Sequence, residues 1–351
     1  GSYVPANKRT LSAGLERDRE AFRAKHPSRR WDGVCTIHGD VGLPGGYGKL
    51  ATNIARALER AGVRVCVAAQ EEQVVRARAA LGPQAPQETP DVPRLRDMYS
   101  REPEGPVLAV TLPQRASWRS AEPTAAVTML ECAPVSEAFL NGYRHVATFT
   151  QWNACTFGGG HFSYRPVDVL PPPIDDEWFH PGIRPARLKQ ARAINLLFVG
   201  EYSARKNMAW IRHACEALEG RDDIAIWLRL EPNGTQLPGA IVELLRGAPQ
   251  KRPAVKWIDR RVPELRMPSL YRAMDGVICP GAEGIGLPAL EATACGVPAL
   301  CLDWGASGEM ARRWGMPTFK APMVGSLKMT PAPLGITWLS SSSACRSSVT
   351  R

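Results

Sequence analysis

Two glutamates separated by seven residues, Glu283 and Glu291, stand out as side chains whose type and spacing could do chemistry. Between them runs Gly284-Ile285-Gly286-Leu287-Pro288-Ala289-Leu290. The apolar run 276–279 reads as a strand that ends at Pro280. A glycine loop follows, and Pro288 suits the first turn of a helix. Glu283 then stays on the loop, and Glu291 falls about one turn into the helix. Both lie at the carboxyl edge of a parallel sheet, where open α/β folds bind their ligands. The backbone N–H groups from Gly284 to Leu287 could hold a diphosphate, whereas Pro288 has none to offer. A carboxylate on the helix can accept two hydrogen bonds from a ribose diol, and the other can hold the hydroxyls of a sugar.

A second glycine-rich stretch, Gly42-Leu43-Pro44-Gly45-Gly46-Tyr47-Gly48-Lys49, lies between the first strand and the first helix. Glycine lets backbone approach a ligand closely at a helix N-terminus, where anions are favoured. A P-loop would need glycine at 43 and Ser or Thr after the lysine, and the chain has Leu43 and Leu50. A dinucleotide fingerprint can be traced as Gly46-x-Gly48-x-x-Ala51, with Glu71 or Glu72 about twenty residues further on. The strand ends near His38, too early for that fingerprint. What remains is a loop at the mouth of a cleft, with Gly45, Gly46 and Tyr47 touching a phosphate or an acceptor, or a plain turn. His38, at the strand end beside the loop, is a further cleft candidate, although a lone histidine is more often structural.

The elements that must position these residues alternate along the chain. Residues 34–38, 63–69, 105–111, 125–130 and 145–150 read as short buried strands, and 49–61 carries a helical stripe at 50, 54, 57, 58 and 61. A second alternating block follows, with strands at 195–199, 224–230, 255–258, 276–279 and 299–302. Its helices fall at 208–218, 264–273 and 288–295. Continuous apolar strands between helices point to parallel sheets covered on both faces. Pro171-Pro172-Pro173 followed by Asp175-Asp176 reads as a linker. The length of 351 residues fits two domains of about 150.

Composition narrows the class. The hydrophobic fraction of 44% and charged fraction of 22% are those of a globular protein. No apolar run reaches the ~18–20 residues of a membrane-spanning helix, and no apolar segment follows the basic start as a secretion signal requires. Nine cysteines are scattered without a C-x-x-C pair, which argues against a zinc site or a disulfide framework and for a reducing compartment. Of the net charge of +10, residues 1–30 carry a surplus of five, from eight Lys/Arg against three acids. Such a leader is a solvated basic helix or a contact for an anionic partner: nucleotide, nucleic acid or membrane face.

The glutamate pair in its strand, loop and helix resembles the E-x7-E motif of retaining glycosyltransferases of family 4 type. The resemblance extends to Pro268-Ser269-Leu270-Tyr271-Arg272-Ala273-Met274-Asp275 before the strand, and to Glu291-Ala292-Thr293-Ala294-Cys295-Gly296-Val297-Pro298 and Asp303-Trp304-Gly305 after it. Gly45-Gly46-Tyr47-Gly48, Thr150-Gln151-Trp152-Asn153 and Pro172-Pro173-Ile174-Asp175 are similar too, so the likeness covers roughly residues 33–310. It implies an α/β protein of GT-B architecture, two Rossmann-like domains with parallel sheets facing across a cleft. The expected division is a basic leader over 1–30, an acceptor domain over 31–170, a linker over 171–182, a nucleotide-sugar domain over 183–320 and a poorly ordered tail over 321–351.

The resemblance also implies roles. Gly200 ends a strand before Glu201-Tyr202-Ser203-Ala204-Arg205-Lys206, where the family's basic residues bind the donor diphosphate. Lys206 matches the family lysine. Many members carry arginine where this chain has Glu201, and Arg205 is the candidate to take over that charge. Glu283, Lys206 and Arg205 are thus the expected catalytic set, with Glu291, Gly286, Leu287, Pro288 and Gly200 on the donor. Glu131 resembles a cleft carboxylate of the first domain that would orient an acceptor hydroxyl. The expected activity is retaining transfer of a sugar from a UDP- or GDP-sugar, with no obligatory cofactor or metal and a cytoplasmic or membrane-peripheral location. A saccharide is the default acceptor; a lipid-linked sugar or a hydroxylated DNA base is the alternative. Readings of another class are a non-catalytic nucleotide-sugar-binding protein and an NAD-dependent oxidoreductase.

Overall fold

The computed structural model describes residues 20, 24, 33–43, 45–68, 92–111, 125–129, 141–157, 167–189, 191–201, 203–231, 239, 253–258 and 262–320. The basic leader apart from residues 20 and 24, Glu131 and the segment 321–351 lie outside these residues.

The first lobe contains β1 (Val34–Gly39), α1 (Gly46–Arg60), β2 (Arg64–Ala68), α2 (Val92–Ser100), β3 (Val107–Val110), β4 (Ala125–Val127), β5 (His145–Thr148), α3 (Gln151–Phe157) and β6 (Asp168–Val169). The second contains β7 (Ile194–Glu201), α4 (Ala209–Ala217), β8 (Ile224–Glu231), β9 (Ala254–Trp257), α5 (Met267–Arg272), β10 (Gly276–Cys279), α6 (Leu287–Ala294), β11 (Ala299–Leu302), α7 (Gly305–Arg313) and β12 (Thr318–Phe319). Short 3₁₀ turns over Ala204–Lys206 and Glu264–Arg266 follow β7 and precede α5.

Every strand pairing is parallel. The orders are β2-β1-β3-β4-β5-β6 and β12-β11-β10-β7-β8-β9, so each lobe is a six-stranded sheet flanked by helices. This is the two-lobed GT-B arrangement. The strands are apolar because helices cover both faces: β10 is buried at all four positions, and Ile37, Val65, Leu197 and Ile226 have no exposed surface. Removing such a side chain typically costs about 2–5 kcal/mol. All of the cysteines described are free, and all are buried except Cys155, which is exposed on α3.

Two local expectations need correction. The first helix begins at Gly46, inside the glycine stretch, not near 49. Its buried face is Gly48, Leu50, Ala51, Thr52, Ala55 and Arg56, while Ala57 and Ala61 are exposed. The cause is the loop packing back onto the first turn. Thr52 Oγ1 accepts from Gly42 N (2.7 Å) and donates to Gly48 O (2.6 Å). A Cβ on Gly48 would stand 2.0 Å from the Leu43 carbonyl oxygen. Glycine is therefore demanded there by the chain's own backbone. Gly48→Ala should lower stability by about 1–3 kcal/mol, seen as a reduced Tm. Gly46→Ala meets nothing within 4 Å and should be neutral or slightly stabilising by helix propensity.

The joint between the lobes is tied to α1. Asn53 Nδ2 donates to Pro173 O (2.8 Å), and Asp175 receives Arg56 (3.6 Å) and Arg60 (3.3 Å). With Asp175 nearly buried, the pairs hold the crossover segment against the helix that carries the glycine loop.

Candidate functional site

The predicted catalytic set converges where β7 and β10 end side by side. The turn after β7 is clamped onto the loop after β10. Ala282 N donates to Arg205 O (3.0 Å), and Asn207, at φ 53°, donates from Nδ2 to Pro280 O (3.3 Å). Gly281 makes the approach feasible, since a Cβ there would lie 2.7 Å from Lys206 Cα. Lys206 Nζ consequently reaches Glu283 Oε1 in a short ion pair. Arg205 donates to Glu283 Oε2 (3.4 Å), Glu201 Oε1 (3.0 Å) and Ala282 O (3.0 Å). The guanidinium thus bridges the motif glutamate and the acid that stands where arginine was expected. Gly200 lies beneath: a Cβ there would stand at ordinary contact distance, 3.4 Å, from the Lys206 side chain. Glu283 N donates to Ser307 Oγ (3.2 Å), fixing the loop to α7.

The loop from Gly284 to Leu287 leads into α6 with Gly286 in the left-handed region at φ 74°, a conformation that favours glycine. Its N–H groups have no acceptor among the described residues. The Leu287 side chain is core, so only its backbone is available to a ligand. Pro288 occupies the first turn, as its position suggested.

Glu291 is almost wholly buried. Its Oε2 accepts from Tyr271 Oη (2.8 Å). Lys49, on the first turn of α1 in the opposite lobe, stands 3.1 Å from Oε1 and 3.3 Å from Oε2. The same ammonium lies 2.7 Å from Glu264 Oε1, an ion pair off the hydrogen-bond direction. Burial pushes the Glu291 carboxyl up, Lys49 pulls it back, and Glu264 pushes it up again. Burial disfavours the Lys49 charge, but Glu264 and Glu291 together hold it above the ordinary lysine range. Burial and the adjoining Glu291 keep Tyr271 a neutral donor. Lys49, Glu264 and Tyr271 were not singled out from the sequence. Lys49 had been weighed only as a P-loop lysine, and its contact with Glu291 spans 242 positions.

Further contacts close the cleft. Asn153 Nδ2 donates to Gly284 O (2.8 Å). Glu309 on α7 accepts from the Gln151 (2.7 Å) and Trp152 (2.6 Å) backbone N–H groups, capping α3 from the other lobe. Trp152 and Trp304 pack with ring centroids 5.5 Å apart.

On the first lobe, Gly45 precedes α1 at φ 107°. Tyr47 Oη donates to Met129 O (3.0 Å) and accepts from Met129 N (3.0 Å), pinning the glycine loop to the end of β4. His38 is buried at the end of β1; burial lowers its pKa, against opposing effects of Ala68 and Asp40. Among the described residues no group of three or more His, Cys, Asp or Glu could hold a metal ion. None of their helices is long and apolar enough to cross a membrane.

Residues 193–318, the segment that builds this cation and carboxylate cluster, match the sequence profile of glycosyl transferases group 1. Residues 193–318 form a domain of that family. Curated relatives of this group 1 domain include two called D-inositol 3-phosphate glycosyltransferase. That of Frankia alni is 31% identical over 147 residues, 38% of this chain and 35% of the relative. That of Kribbella flavida is 36% identical over 149 residues, 38% of this chain and 34% of the relative. The match therefore spans about a third of the relatives' length. Among solved structures, one described as trehalose-6-phosphate from E. coli bound with UDP-2-fluoro glucose superposes with a TM-score of 0.55 at 12% identity. It covers 82% of this chain and 88% of the other, which establishes the shared fold of both lobes.

Proposed function

We propose that the protein transfers a sugar from a nucleoside diphosphate sugar to an acceptor hydroxyl with retention of anomeric configuration. The observation that carries this is the Lys206, Arg205 and Glu283 cluster beside Glu291, built at one sheet edge within the group 1 domain. A departing diphosphate gains negative charge as the glycosidic bond lengthens. Lys206 and Arg205 are held where they stabilise that charge more in the transition state than in the ground state. Glu283 faces the transferred sugar and Glu291 the ribose diol. The N–H groups of Gly284 to Leu287 receive the phosphates. The departing phosphate oxygen takes the acceptor proton on the same face, so no separate protein base is required. Closure of the lobes excludes water and limits hydrolysis of the donor.

UDP is the first candidate nucleotide, as in the E. coli relative, and a saccharide is the first candidate acceptor, presented by the glycine loop and Tyr47. The testing experiment is a thermal-shift panel of UDP, GDP, ADP, NAD and the diphosphate sugars, followed by donor hydrolysis. A rise in Tm with UDP and slow release of UDP from UDP-glucose are expected. Stabilisation by NAD alone would overturn the reading in favour of an oxidoreductase.

A further inference from the structure

Glu291 is the carboxylate assigned to the donor ribose, yet it is occupied. Lys49 comes from the other lobe and lies within 3.3 Å of both Glu291 oxygens. Tyr271 takes a further position on Oε2 at 2.8 Å. The Glu291 side chain is 2% exposed. The Lys49 side chain, 20% exposed, covers both carboxylate oxygens with its ammonium. A diol that donates two hydrogen bonds to Glu291 must first move that ammonium.

The ammonium has somewhere to go. Glu264 Oε1 lies 2.7 Å away, on a side chain with a quarter of its surface open to solvent. Lys49 can release Glu291 while keeping Glu264, and the released carboxylate keeps the Tyr271 hydroxyl while the two diol donors take the ammonium's place. Its position on α1 is firm: the helix is fixed to the crossover segment through Asn53, Arg56 and Arg60.

We propose that Lys49 is a specificity-determining residue that competes from the opposite lobe with the donor's ribose diol for Glu291. The inference rests on the donor reading above and goes beyond it. Lys49 sets how strongly the diol counts towards affinity, because every diol contact with Glu291 costs a lysine contact. Glu264 tunes that competition by offering Lys49 a second carboxylate.

The experiment is calorimetric titration of UDP and 2′,3′-dideoxy-UDP into the full chain, the Lys49→Met variant and the Glu264→Gln variant. It is run at pH 7 and pH 9, the higher pH favouring the ionised form of the buried carboxyl. Lys49→Met should tighten UDP while leaving the dideoxy compound unchanged, raising the preference for the diol by about tenfold. That factor is about 1.4 kcal/mol, the scale of one hydrogen bond to a charged group. Glu264→Gln should move the preference the other way, because Lys49 then has only Glu291. The two variants also guard against a folding defect in either one. An unmoved preference in both overturns the inference. Equal weakening of both nucleotides by Lys49→Met also overturns it, since Lys49 would then be holding the diphosphate. If the folded parent binds no UDP, the donor reading fails and this inference with it; UDP binding with an unmoved preference defeats the inference alone.

Discussion

Lys206→Met should leave the protein folded and still able to bind UDP, yet cut sugar transfer by about 10²–10³-fold. The lysine is nearly buried between Gly200 and the loop after β10, with its ammonium on Glu283. Methionine keeps much of the stem's packing and removes only the charge. Arg205 remains on Glu283, so the carboxylate is not left without a cation. The missing ammonium matters most when charge builds on the leaving phosphate, which places the loss in kcat. Steady-state turnover at saturating donor is the measurement. Parental turnover would remove Lys206 from the mechanism, and a rise in KM alone would make it a ground-state binder.

Glu291→Ala and Glu283→Gln should separate binding from transfer. Glu291 is assigned to the ribose, and removing a charged acceptor costs about 1.5–3 kcal/mol, or roughly 10- to 150-fold in UDP affinity. Lys49 still has Glu264, so the variant does not strand the lysine. Glu283 instead stands against Lys206 and Arg205 and is assigned to the transferred sugar. Glu283→Gln preserves shape, loses charge, and should keep UDP affinity within a few-fold while abolishing transfer. Direct titration of UDP beside a transfer assay reads both quantities. Equal losses of UDP affinity in the two variants would dismiss this division of labour.

Much of this was legible because parallel strands covered on both faces read as short continuous apolar runs. The stretch Gly276–Cys279 and the proline after it were enough to place Glu283 on a loop and Glu291 on a helix. The cations after β7 were legible for a similar reason: a strand end fixes where the next few residues emerge. What could not be read is whatever depends on the two sheets meeting. Lys49 meets Glu291, Asn153 meets Gly284, and Glu309 meets the start of α3 only through tertiary approach. No periodicity encodes such pairs. The start of α1 was misplaced because glycines weaken a helical pattern, while Thr52, bonded to Gly42 N and Gly48 O, ties the first turn to the loop. The Arg205 bridge between Glu201 and Glu283 was legible as a charge substitution but not as a geometry.

The capping of α3 by Glu309 has a consequence for watching the molecule at work. A seven-residue helix is too short to be stable alone, and its first amides depend on a carboxylate borrowed from the other lobe. When the lobes separate, those amides open to solvent and the first turn frays. Deuterium uptake at Gln151 and Trp152 is therefore a built-in clock for lobe separation, requiring no label and no probe. Its rate gives the fraction of time the two halves spend apart.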